Sequence, residues 1–153
     1  MPDIRTAFEK VGIKSEEKKE EKVNGQAIPK DYVEFAERVM IKISEPSRDG
    51  SKRDFKITTS KIRNILSLVT EIDNMERLNQ EDKLSQENLR KIQLMKVRIL
   101  YEAGRTKEVK SFVIESKILE YINGIGESKE KFKDFVDYME ALVAYHRYLG
   151  GRD

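Results

Sequence analysis

Phe135-Val-Asp-Tyr-Met-Glu-Ala-Leu-Val-Ala-Tyr-His-Arg147 decides the fold class. Counted from Phe132, the face-forming positions fall at 132, 135, 136, 139, 142, 143, 146 and 149. That is the spacing of one helix face, so the last segment is predicted to be a long amphipathic helix packed into a core. Ser128 can cap its start, and Gly150-Gly151 stops it.

Similar patterns recur upstream. Asp31 after Pro29 is a plausible N-cap for a helix carrying Tyr32, Phe35, Val39 and Ile43, which Pro46 ends. Ser47-Arg-Asp-Gly-Ser-Lys-Arg53 reads as a polar loop. A helix with Thr59 or Ser60 as its N-cap, running to about Met75, should bury Ile62, Ile65, Leu66, Val69 and Ile72. Another follows Ser85 and reaches Tyr101, with Gly104 suited to the position after its end. Thr106 can cap a fourth helix carrying Val109, Phe112 and Val113, then Ile118, Leu119 and Ile122, before the break at Gly124-Ile-Gly126. No period-2 alternation of useful length occurs. The prediction is all-α, a bundle of about five mostly antiparallel helices forming one domain over residues 30–153. Residues 1–29, with Lys14-Ser-Glu-Glu-Lys-Lys-Glu-Glu-Lys22 and little to bury, are predicted to be largely disordered, apart from a short helix at Ile4–Val11.

Composition narrows the function. Of 153 residues, 38% are hydrophobic and 38% charged, and no run of about 18 apolar residues could span a membrane. The opening Met-Pro-Asp-Ile-Arg-Thr lacks the apolar stretch of a secretory leader. The absence of cysteine excludes disulfides and thiolate metal sites and fits a cytoplasmic protein. The overall charge of +2 averages unlike segments. Residues 51–110 hold 14 Lys and Arg against 9 Asp and Glu, whereas residues 111–153 hold 6 against 8. A basic excess confined to mid-chain is the electrostatic footprint of a polyanion site.

Two basic stretches carry that excess. Lys91, Arg98 and Arg105 are spaced by seven, which places them on one stripe if the helix persists. Lys96 adds charge nearby, and residues 90–110 hold seven Lys and Arg against two Glu. Such a rod of cations suits the phosphates of a nucleic acid, although it is also what the solvated face of an amphipathic helix looks like. Lys52, Arg53, Lys56, Lys61 and Arg63 face only Asp54 and lead into a helix start, where free N–H groups favour phosphate. Ordinary capping accounts for one hydroxyl among Thr58, Thr59 and Ser60, but not for five cations.

Catalytic chemistry is hard to place. His146, the one histidine, sits on the apolar side of its helix, with no arginine four to six residues upstream. One histidine without cysteine does not make a zinc site, and no Gly-rich phosphate or dinucleotide loop occurs, so no metal or cofactor is expected. Acid pairs such as Asp134/Asp137 and Glu81/Asp82 lie in polar runs and read as solvated. Tyr138, Tyr145 and Tyr148 are expected to leave aromatic surface on the last helix for a neighbouring protein.

Tyr138-Met-Glu-Ala-Leu-Val-Ala-Tyr-His-Arg-Tyr-Leu-Gly-Gly-Arg-Asp153, Lys56-Ile-Thr-Thr-Ser-Lys-Ile-Arg-Asn64 and Tyr101-Glu-Ala-Gly-Arg105 occur in that order. Together they resemble the small subunit of the type III-A CRISPR effector, the Csm complex. The resemblance covers residues 55–153, about two-thirds of the chain. It implies a non-catalytic, cytoplasmic subunit of an antiviral RNA-guided complex, several copies stacking as a filament with other Csm subunits. The implied partners are the guide RNA (crRNA) and the target RNA, held by their backbones without base reading. It strengthens the case for Lys61, Arg63 and Arg105 as RNA-binding residues. From the residues alone two other classes stay open: a helical protein-interaction adaptor that binds no nucleic acid, and a metal-dependent nuclease using clustered acids.

Overall fold

The computed structural model describes residues 25–153. The short helix and charged run expected before residue 25 lie outside the described residues. Six helices and one small hairpin follow: α1 (Tyr32–Lys42), β1 (Ser44–Pro46), β2 (Arg53–Phe55), α2 (Thr59–Glu76), α3 (Gln86–Arg105), α4 (Lys107–Ser116), α5 (Ile118–Ile125) and α6 (Lys129–Tyr148). The all-α prediction holds.

The helix α6 forms the axis of the bundle and packs against α1, α2 and α5, while α3 packs on α2 and α4. Its face is the one its spacing predicts, with Phe132, Phe135, Val136, Met139, Leu142 and His146 buried. Ser128 caps it, its hydroxyl accepting from the Lys131 N–H at 3.1 Å. Ser85 caps α3 in the same way, and Thr58, in place of the expected Thr59 or Ser60, caps α2. On α2, Ile62, Ile65, Val69 and Ile72 are buried, and Leu66 is half-buried.

Several expectations are corrected. Tyr138 is no surface aromatic: it is wholly buried, stacked on Phe35 at 5.9 Å and edge-on to Tyr121 at 5.2 Å. Its hydroxyl donates to the Ser116 carbonyl at 2.7 Å. That bond explains a second difference, for the single helix expected after Thr106 is two. Lys117 adopts a left-handed conformation (φ 59°) between α4 and α5. The Ser116 carbonyl, freed from a helical partner, is satisfied by Tyr138 from another helix. Gly104 does not end α3, which runs on to Arg105, and the Thr106 hydroxyl donates back to Glu102 instead of capping α4. Of the expected loop at 47–53, residues 47–52 form the turn of the hairpin and Arg53 begins β2, with Ser44 paired to Phe55 and Pro46 to Arg53. Three-residue strands are too short for alternation to reveal them.

Two closures fix the ends of α2. At its C-terminus Glu76, 2% exposed, accepts hydrogen bonds from Asn88 Nδ2 (2.6 Å), Asn79 Nδ2 (3.0 Å) and the Ser85 N–H (3.2 Å). Burial pushes its carboxyl upward, but these bonds outweigh it and leave the group below its ordinary range. At the N-terminus the chain's tail folds back. The Thr59 N–H donates to the Arg152 carbonyl at 2.9 Å, and the Arg53 N–H to the Leu149 carbonyl at 2.8 Å. His146 lies beneath this tail, fully buried, with Nε2 2.9 Å from the Ile57 carbonyl and Nδ1 3.4 Å from the Thr59 hydroxyl. A carbonyl only accepts, so Nε2 carries the proton. Gly151 covers the ring so closely that a Cβ there would overlap three imidazole atoms.

Candidate nucleic-acid interface

Glu76 joins the end of α2 to the start of α3, and the two helices run back along one another. The first three turns of α2 face the last three turns of α3, antiparallel, across an open cleft of about 760 Å³. Lys61, Asn64 and Ser67 line it from α2, and Arg98, Tyr101 and Arg105 from α3. Three of the predicted site residues, separated in sequence by up to 44 positions, therefore share one concavity.

Charge in the cleft is only partly compensated. Arg105 pairs loosely with Glu102, one turn back, at 3.7 Å, and both groups stay exposed. Among the described residues, Lys61 and Arg98 have no carboxylate partner. Exposed ion pairs such as Arg105–Glu102 contribute little and exchange readily for another anion. Arg105 also lies in the last turn of α3, where the helix dipole favours a cation.

The other six predicted residues are placed differently. Lys91 belongs to the same α2–α3 seam but at its far end, its Nζ 2.7 Å from Met75 Sδ and 3.9 Å from Glu87. Along the axis it stands about 21 Å from Arg105, at 1.5 Å per residue. Lys96 faces away, about 200° around α3 from Arg98, and donates to Asn123 of α5 at 2.7 Å. It lines a second, polar cleft with Arg90 and Gln93, beside the point where Gly25 begins the described chain. Arg53 is occupied: its Nε donates to Ser44 Oγ at 2.6 Å, and its Nη2 to the Ile41 and Ser44 carbonyls at 3.1 Å. It closes the carboxyl end of α1, a structural use of a cation. Lys52, Lys56 and Arg63 are exposed and free of carboxylates among the described residues, but lie outside the cleft.

The start of α2 is not the open phosphate pocket that its sequence suggests. The Thr59 N–H is taken by the Arg152 carbonyl and the Lys61 N–H by the Thr58 hydroxyl, while Thr59 itself is buried against His146. The tail that caps this end was distant in sequence, so local reasoning could not see it. With these N–H groups engaged, an anion here would meet mainly side chains. Asn64, Ser67 and Tyr101 are polar lining residues not singled out from the sequence as site residues. The i, i+3 spacing of Lys61, Asn64 and Ser67 is the signal that could have found them. Burial pushes the His146 imidazole below its ordinary value, and the bond to Ile57 and the charge of Arg147 modify this less. His146 holds the tail on α2 and faces no cleft. Among the described residues no group of acids and histidine could hold a metal ion. No helix among them is long and apolar enough to cross a membrane.

Known proteins of similar sequence bear one family name. The family described as Csm2 Type III-A matches residues 34–152. The chain is 36% identical over 126 residues to a protein of Mycobacterium tuberculosis (strain CDC 1551 / Oshkosh) named CRISPR system Cms protein Csm2, covering 82% of this chain and 97% of that one. It is 35% identical over 122 residues to the protein of the same name from Streptococcus thermophilus, covering 80% and 93%. The Enterococcus italicus protein of that name is 30% identical over 94 residues, covering 60% and 67%.

Proposed function

The chain belongs to the Csm2 type III-A family, the small subunit of a type III-A CRISPR complex, and from that premise we propose that it grips RNA by its phosphates without performing catalysis. The observation that carries this is the convergence of Lys61, Arg98 and Arg105 on one cleft, two of them without a carboxylate partner among the described residues. Lys52, Lys56 and Arg63 supply further cations along the strand's path, and Lys91 extends the same seam. Lys96 and Arg53 contribute through local field more than through contact, because each is turned toward a partner within the fold. The partners are the guide RNA (crRNA), the target RNA, other Csm subunits and further copies of this chain stacked along the complex in the cytoplasm. Contacts to phosphate and sugar position a strand and carry no sequence information, so binding should be indifferent to sequence.

A salt series tests this. Replacing Lys61, Arg98 and Arg105 together by alanine should lower the slope of log K against log salt by about 2 for single-stranded RNA, since each phosphate contact contributes about 0.7. The loss should be equal for RNAs of unrelated sequence. An unchanged slope in the folded variant would move the site off this cleft, and no RNA binding by either protein would leave a protein-interaction adaptor as the better account.

A further inference from the structure

The outer face of α3 bears two parallel rails, and only one is charged. Leu94, Val97 and Tyr101 are 53%, 60% and 66% exposed, unusually bare for such side chains in a helix whose opposite face is buried. At about 100° per residue they fall within about 60° of one another around the axis. Arg98 and Arg105 run immediately beside them, about 60° and 40° from Tyr101, on the side facing α2. Tyr101 lies at the junction, lining the cleft with both arginines and Lys61. Among the described residues no aromatic or cation–π contact engages its ring.

A cationic rail beside an apolar one fits a ligand that is anionic along one edge and flat and apolar along the other. An unpaired nucleic-acid strand has that shape. Its phosphates want cations, and its bases, when not stacked in a duplex, present π faces that aromatic side chains cover. A duplex hides those faces, and an acidic peptide lacks a run of planar groups.

We propose that the α3 face takes an unpaired strand, phosphates on Lys61, Arg98 and Arg105 and a base stacked on the Tyr101 ring, with Val97 and Leu94 beneath the neighbouring base. The stacking rests on the cleft being the phosphate site argued above, but it adds a preference for single strands that phosphate contacts alone cannot produce. Asn64 and Ser67, across the cleft, are the groups placed to meet the sugar edge, where a ribose hydroxyl would distinguish RNA from DNA.

The test compares four probes of equal length on the full chain: oligouridine, the matching abasic ribose-phosphate strand, oligodeoxythymidine and a duplex RNA. The wild type should bind oligouridine about tenfold more tightly than the abasic strand, and the duplex no better than the abasic strand. Tyr101→Ala should lower oligouridine affinity about tenfold, to the abasic value, with the salt slope unchanged, and Tyr101→Phe should restore it. The deoxy strand identifies the sugar: weaker binding assigns the site to RNA, and equal binding assigns it to unpaired strands of either kind, both with stacking intact. Equal affinity of wild type for base-bearing and abasic strands would overturn the stacking while leaving the phosphate site standing. So would an equal loss on both strands in Tyr101→Ala. No binding of any probe would overturn both. RNA affinity unchanged in Tyr101→Ala, with a self-association of the chain lost in that variant, would give the rail to a protein partner and overturn the proposal.

Discussion

Gly151 sits where only a hydrogen fits, and Gly151→Ala is the sharpest test of how the tail holds the start of α2. A Cβ at this position would come closer than 3.0 Å to Cε1, Nδ1 and Nε2 of His146. Two relaxations are open. If the tail lifts, the Thr59 N–H loses the Arg152 carbonyl, a bond of 2.9 Å at the base of α2. That costs about 1 kcal/mol, to which the displaced packing adds about 1–2. If the ring moves instead, the Ile57 carbonyl loses its donor in a buried setting, for about 1–3 kcal/mol. The first route comes to about 2–3 kcal/mol and the second to about 1–3, which for a chain of this size lowers Tm by about 2–12 °C. Thermal and urea unfolding would measure it, and amide exchange at Thr59 would tell the routes apart, since only lifting the tail frees that N–H. The decisive control is the double variant. In a His146→Ala background the ring is gone, and Gly151→Ala should then cost less than about 0.5 kcal/mol, a coupling of roughly 2 kcal/mol. A Tm within about 2 °C of wild type, or the same cost with and without His146, would refute the assignment of Gly151 to close packing on the imidazole.

Further outcomes follow from other buried groups. His146 is held below its ordinary value by burial, so the unfolded chain binds its proton more readily than the folded one. Its contribution is therefore fully present above about pH 6.5 and is lost as pH falls from there toward the folded value. Urea titrations across that window should show up to about 1.4 kcal/mol lost per pH unit, absent in His146→Gln. Glu76→Ala would leave Asn88 Nδ2 and the Ser85 N–H without their acceptor at the α2–α3 turn. Unfolding should register about 2–3 kcal/mol, and RNA affinity should fall with it only if the turn also sets the α2–α3 register. Tyr138→Phe removes the single donor to the Ser116 carbonyl from another helix. A loss of about 1–2 kcal/mol is expected, with faster amide exchange around Lys117.

How much could be read from the chain follows from the range of each interaction. Helix positions depend on local caps and on a 3.6-residue period, so the starts of α2, α3 and α6, and the core faces of α2 and α6, were legible. So was the concentration of cations in mid-chain. The split between α4 and α5 was not legible, because the Tyr138 hydroxyl that satisfies Ser116 arrives from 22 residues away. The engagement of Arg53 by the end of α1, and of Lys96 by Asn123, were equally hidden. A cation looks the same in sequence whether it meets solvent or a helix end.

By itself, then, the sequence determined where most of the helices lie, which faces of α2 and α6 are apolar, where positive charge accumulates, and, through its motifs, the family. The tertiary structure decided which cations share a surface. Lys61 and Arg105 meet because α2 and α3 run antiparallel from a turn at which Glu76 binds Asn88 and Ser85. Periodicity records only neighbours within a turn or two, whereas a binding cleft is made by side chains tens of residues apart, brought together by buried contacts between helices.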